Sequence, residues 1–157
     1  MLKNYPLKSF VKYSLLAAIL YLIPATIFIL HTKFSGIWLL YLGNMLFLIA
    51  MFGFMITYRP PTDKNTSKMY MLGSGHIVMA MGVIISLILV TIIVLVLKPA
   101  FYPESVVRNI TDAPPSTNGL TFSLYMDAIF GNVSAGSFAS IIMSYGSRSK
   151  YRQTPEV

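Results

Sequence analysis

One carboxylate stands inside an apolar stretch of this chain, and it is the residue most able to do chemistry. Asp127 lies in LYMDAIFGNVSAGSFAS, residues 124–140. A charged side chain at the bilayer centre costs about 2.5–3.5 kcal/mol on insertion scales, so an ionisable group in a span points to function. Asp127 sits near the outer end of its segment, about 10 Å deep at about 1.5 Å rise per residue. Two roles fit it. One is a proton or cation site; the other is a carboxyl near the interface, held by hydrogen bonds. No other acidic residue falls in an apolar segment. A carboxylate pair would therefore need a second copy of the chain. Asn44 and Asn132 are the other strongly polar candidates, each able to bond across a helix interface for about 0.6–2 kcal/mol. Polar glue between helices is the expectation for both.

Other constellations are thinner. MYMLGSGHIVMAM gathers Met69, Met71, His76, Met79 and Met81. Thioethers and imidazole suit Cu(I), but methionine is also an adaptable packing residue. His31 and His76 fall at opposite ends of their segments and cannot share a metal in one chain. There is no cysteine, which removes disulfides, thiolate metal sites and a cysteine nucleophile. No phosphate loop, HExxH, GxSxG or paired-carboxylate motif occurs. NIT at 109–111 matches a glycosylation acceptor, as do NTS at 65–67 and NVS at 132–134. We therefore expect no catalytic group, no cofactor and no metal.

These residues need elements to hold them. The 157 residues are 55% hydrophobic and 11% charged, with a mean hydropathy of +0.68. Soluble chains carry roughly 25% charge, so the composition implies an integral membrane protein of one domain. A spanning helix needs about 20 mainly apolar residues. Four segments meet that length: about 10–30, 37–58, 76–97 and 120–145, the last the weakest by hydropathy. Pro24 should kink the first. Breakers separate them: Gly36, Pro60 with Pro61, and four prolines in the loop 98–119. The fold class expected is all-α, four transmembrane helices in an up-down-up-down bundle.

The basic residues orient it. Lys3, Lys8, Lys12, Arg59, Lys64, Lys68, Arg148, Lys150 and Arg152 fall on one side, nine of the twelve; Lys33, Lys98 and Arg108 fall on the other. Excess Lys and Arg marks the cytoplasmic side, so both termini are expected inside and 98–119 outside. The formal charge of +7 then reflects topology and some attraction to anionic lipid, with no nucleic acid as partner. Trp38, Tyr58, Tyr102, Tyr125 and Tyr145 fall largely near span ends, as interfacial anchors do.

Lipid is as apolar as leucine, so helices associate through close packing and polar contacts. Small residues mark the contact faces. Gly36, Gly43, Ala50 and Thr57 recur every seven residues, one stripe suited to an antiparallel neighbour, and the first two spans should be neighbours. Gly75 and Gly82 repeat that spacing, with Ser86 one turn beyond Gly82. In the last span Ala128, Asn132, Ala135, Gly136 and Ala139 share a face at about 100° per residue. Asp127, Gly131, Ser134 and Phe138 share another, with Asp127 about 140° round from Asn132. Polar or small residues on two faces predict that this span is the most surrounded by protein.

The order of features resembles a bacterial family of small four-span inner-membrane proteins known as a domain of unknown function. The likeness rests on the basic opening into KYSLLAAI, the basic exit ITYR, a polar outer loop and the closing AGSFASIIMSYGSRSK. Gly136 and Ser140 match the small residues near the end of that pattern. The resemblance implies a bacterial inner membrane and brings no catalytic residues. Small multidrug exporters need a glutamate in the first span, and four-span glutathione-dependent enzymes need intramembrane arginine and glutamate; both are missing. Two functions are expected from these features. The first is a non-enzymatic scaffold or accessory subunit, partnered by lipid and by itself or other membrane subunits. The alternative is a small oligomeric transporter or channel with Asp127 as the proton or cation coupling group.

Overall fold

The computed structural model describes residues 7–31, 34–58, 67–97 and 116–146; it is all-helical across them. The elements are α1 (Leu7–His31), a 3₁₀ turn (Phe34–Gly36), α2 (Trp38–Thr57), α3 (Ser67–Leu97), α4 (Ser116–Met126), a π-helical turn (Asp127–Gly131) and α5 (Asn132–Gly146). Helices α4 and α5 join through the π turn into one fourth span. Four helical stretches are thus long and apolar enough to cross a membrane. Boundaries differ from the sequence expectation in two places. Helix α3 starts at Ser67, about two turns before His76, because SKMYMLGSG contains no proline to stop it. Helix α4 starts at Ser116, inside the expected loop. Helix α1 continues through Pro24. Lys3, Arg59, Lys64, Lys98, Arg108, Arg148, Lys150, Arg152 and Lys33 lie outside the described residues, as do the three residues of NIT.

Pairwise contacts give the order of the helices. Thr57 at the end of α2 donates its hydroxyl to the phenol of Tyr13 near the start of α1, at 2.9 Å. That pair is antiparallel, as a short connection requires. Phe10, Tyr13, Phe54 and Tyr58 stack and tilt together at the same end, with centroids 5.2–5.9 Å apart. Ser14 donates to the carbonyl of Val78 at 2.9 Å, so α1 and α3 run parallel. Tyr125 and Thr91 share a hydrogen bond of 3.0 Å, and a Cβ on Gly75 would meet Ser140; α3 and the fourth span are antiparallel. Helices α2 and α5 pack as the fourth side of the ring, while α2 and α3 meet only lightly. Helix α1 therefore faces the fourth span across a diagonal.

The core is aromatic against small. Gly43 accepts the ring of Tyr21, and a Cβ there would stand 2.9 Å from Tyr21 Cδ2 and 3.1 Å from its backbone oxygen. Gly82 faces Phe47 at 3.0 Å from a notional Cβ, and Gly136 faces Met79. Ala50, Ser86, Ala128 and Ala139 are buried, and Ala135 and Gly36 are half-buried. Gly36 lies in the 3₁₀ turn beside Phe28 and Leu39, and Thr57 is exposed. The seven-residue stripe on α2 thus buries its middle and loosens at both ends.

The fourth span is not the one most surrounded by protein. Half of the most apolar stretch of α1 is buried, against 28% for the fourth span. Helix α1 packs on both α2 and α3 through Phe10, Ser14, Ala17, Ala18, Tyr21, Ala25 and Phe28. The fourth span turns Phe122, Phe130, Phe138 and Tyr145 outward.

The glycine contacts give a test. Gly43→Ala should destabilise the bundle by about 1–3 kcal/mol through overpacking against Tyr21. Gly53→Ala, with nothing within 4 Å of the new methyl, should be neutral or stabilising by up to about 1 kcal/mol. Thermal unfolding in a mild detergent distinguishes the two; equal losses would mean that Gly43 is not a contact point.

Candidate functional site

The residues of the site come from three helices. Asp127 opens the π turn of the fourth span. Its Oδ1 accepts a hydrogen bond from Asn44 Nδ2 of α2 at 2.8 Å, and its Oδ2 accepts one from the Tyr21 hydroxyl of α1 at 3.2 Å. The two oxygens of the carboxyl group thus accept from two different helices. Tyr21 is fully buried and reaches across the diagonal of the bundle. Asp127 and Asn44 are half-buried.

Backbone supplies the room. Tyr21 lies over Gly43, the residue before Asn44. Asn44 lies over Gly131, where a Cβ would meet its amide nitrogen, with Cγ and Oδ1 both at 2.8 Å. Two glycines therefore let two side chains converge on one carboxylate. A π turn takes one residue more than an α turn, so it slips the helix phase by about 100°. The expected separation of about 140° between Asp127 and Asn132 falls to about 40° by the same geometry. The two residues lie on adjoining faces rather than opposed ones.

Asn132 does not act as interhelical glue. It is fully buried, and its Nδ2 donates to the carbonyl of Ala128 in its own helix at 3.1 Å. The carbonyl at Ala128 lies in the π turn, where regular α pairing is interrupted, so the nearest acceptor is local. The serines of the fourth span behave similarly: Ser123, Ser140 and Ser144 bond to carbonyls four residues back, at 2.6–2.8 Å. Such back-bonding satisfies a hydroxyl without a partner helix. Among the described residues, Asn44 Oδ1, Asn132 Oδ1, Ser74 Oγ and Ser86 Oγ are buried with no hydrogen-bond partner.

The methionine cluster does not converge. Met69 is exposed while Met71 and Met79 are buried. His76 sets its Nδ1 2.9 Å from the carbonyl of Leu72, and the Ser137 hydroxyl donates to the sulfur of Met79 at 3.4 Å. Among the described residues no three His, Cys, Asp or Glu side chains group to hold a metal ion.

Sequence reasoning singled out Asp127 and Asn44 separately, and the fold brings them together. Tyr21 was missed. The signal for it was position: its hydroxyl falls mid-span, away from the interfacial belt where tyrosine is ordinary.

Removing one donor should reveal the coupling. Tyr21→Phe and Asn44→Leu should each cost about 0.5–2 kcal/mol. In an Asp127→Leu background the same changes should cost nearly nothing, because the acceptor is gone. A double-mutant cycle in detergent unfolding measures this; additive losses would break the assignment.

Comparison with protein-family models, curated proteins and solved structures finds no match for this chain.

Proposed function

We propose that the chain is a non-enzymatic accessory or scaffold subunit of a membrane complex, in a bacterial inner membrane with both termini in the cytoplasm. The observation that carries this is the setting of Asp127. The one carboxylate in any described span is oriented by a phenol and an amide. Neither is a second acid or base suited to general acid–base work near neutral pH. A group so placed holds three helices together; it does not turn over a substrate.

The orientation rests on the uneven distribution of lysine and arginine, nine against three. Partners are lipid and other membrane subunits.

Two experiments test this reading. Purification from native membranes in a mild detergent should bring down a membrane partner in constant ratio; a lone monomer would count against an accessory role. A cation or proton flux in liposomes, abolished by Asp127→Asn, would replace it with the transporter reading. Topology is checked by single cysteines, since the chain has none of its own. Thr111→Cys should react with a membrane-impermeant maleimide on intact cells, and Thr154→Cys only after lysis. The reverse pattern would invert the orientation.

A further inference from the structure

Asp127 is oriented by two donors and meets no cation among the described residues. We propose that the seam between α2 and the fourth span docks a transmembrane helix of another protein, and that this helix carries a lysine or arginine at the depth of Asp127. The inference rests on the accessory reading above and names its partner's chemistry.

Four observations carry it. First, the carboxylate keeps a partly exposed position at the seam of α2 and the fourth span. It is half-buried between Met126, 37% exposed, and Ala128, with exposed Phe130 one turn on. Asn44 beside it is half-buried and adjoins exposed Met45. Second, a carboxylate has about four lone-pair positions. Tyr21 and Asn44 occupy two. Third, among the described residues no lysine or arginine lies at this level; those described are Lys8, Lys12 and Lys68, all toward the opposite end. The described lysine nearest along α1 is Lys12, nine residues before Tyr21, which is about 13 Å of helix. Ionisable groups in lipid pair with one another, and a cation on a partner helix would complete such a pair. Fourth, Ser134 is exposed between the exposed rings of Phe130 and Phe138. Small residues let a neighbouring backbone approach closely.

A second copy of this chain fits worse. Pairing the same seam on both would bring Asp127 against Asp127, like charges in a medium that screens poorly.

The test uses the full chain, fluorescently labelled in phosphatidylcholine vesicles, with three synthetic polyleucine helices. They differ at one position about 12 Å below the surface, the rise over the eight residues from Gly119, where the apolar span begins, to Asp127, and that position carries Lys, Leu or Glu. Energy transfer measures association. The Lys peptide should bind about tenfold or more tighter than the Leu peptide, as ion pairing across a desolvated interface allows, and the Glu peptide no tighter than Leu. Asp127→Asn should bring the Lys peptide down to the Leu value, and Asp127→Glu should restore most of the difference. Equal binding of the three peptides to the unmodified protein would overturn the proposal. So would an undiminished Lys preference in a folded Asp127→Asn variant, or self-association of the chain that excludes the peptide.

The outcomes also separate this inference from the reading beneath it. A native partner that stays bound to Asp127→Asn would sink the docking face and leave the accessory role standing. Asp127-dependent binding of the Lys peptide, with no native partner recovered, would support the docking face and remove the accessory role.

Discussion

A carboxylate within an apolar bundle must be met by donors, and donors can meet it only if the backbones around it stand back. That constraint organises the middle of this structure. Tyr21 needs Gly43 beneath its ring; Asn44 needs Gly131 beneath its amide. The two glycines and the two donors occupy α1, α2 and the fourth span, so the polar contact and the helix order are one arrangement. Glycine usually weakens a helix by about 0.5–1 kcal/mol relative to alanine. Here that loss is offset by close approach, which in lipid is a main source of helix association.

The ring order follows from the same economy of contact. Helix α1 touches α2 and α3 along much of its length and reaches the fourth span by one long side chain across the diagonal. At its start the ring is closed by aromatics, Phe10, Tyr13, Phe54 and Tyr58. Toward the Asp127 level it is closed by polar bonds. Serine back-bonding lets the fourth span carry several hydroxyls without asking a neighbour for each. The bundle thus has few cross-helix hydrogen bonds among its described residues, and packing of small against large supplies the rest.

Much of this architecture was legible in the sequence. Length and hydropathy gave four helices, because a span's backbone satisfies itself only as a helix or a closed barrel. The small residues Gly43, Gly82, Ala128 and Gly136 marked contact faces for the reason just given. Two things were not legible. An unbroken α-helix sets Asp127 about 140° from Asn132, and nothing in DAIFG announces the π turn that brings the two onto adjoining faces. Burial was also misjudged, because counting small residues on a helix says where neighbours can come close but not how many neighbours there are. Tyr21 was lost among tyrosines that serve as interfacial anchors, although its depth set it apart.

The π turn separates the fourth span into two lengths of helix with independent phase. Helix α5 takes its facing from Met79 and Gly75 of α3, whereas Asp127 at the head of the turn takes its facing from α1 and α2. Losing one residue from the turn would restore an unbroken α-helix and swing everything before it through about 100°. The carboxylate would leave its donors while the α5 contacts stayed in place. The fourth span is in this sense jointed at its only charge, and the joint makes the bearing of that charge adjustable without dismantling the bundle.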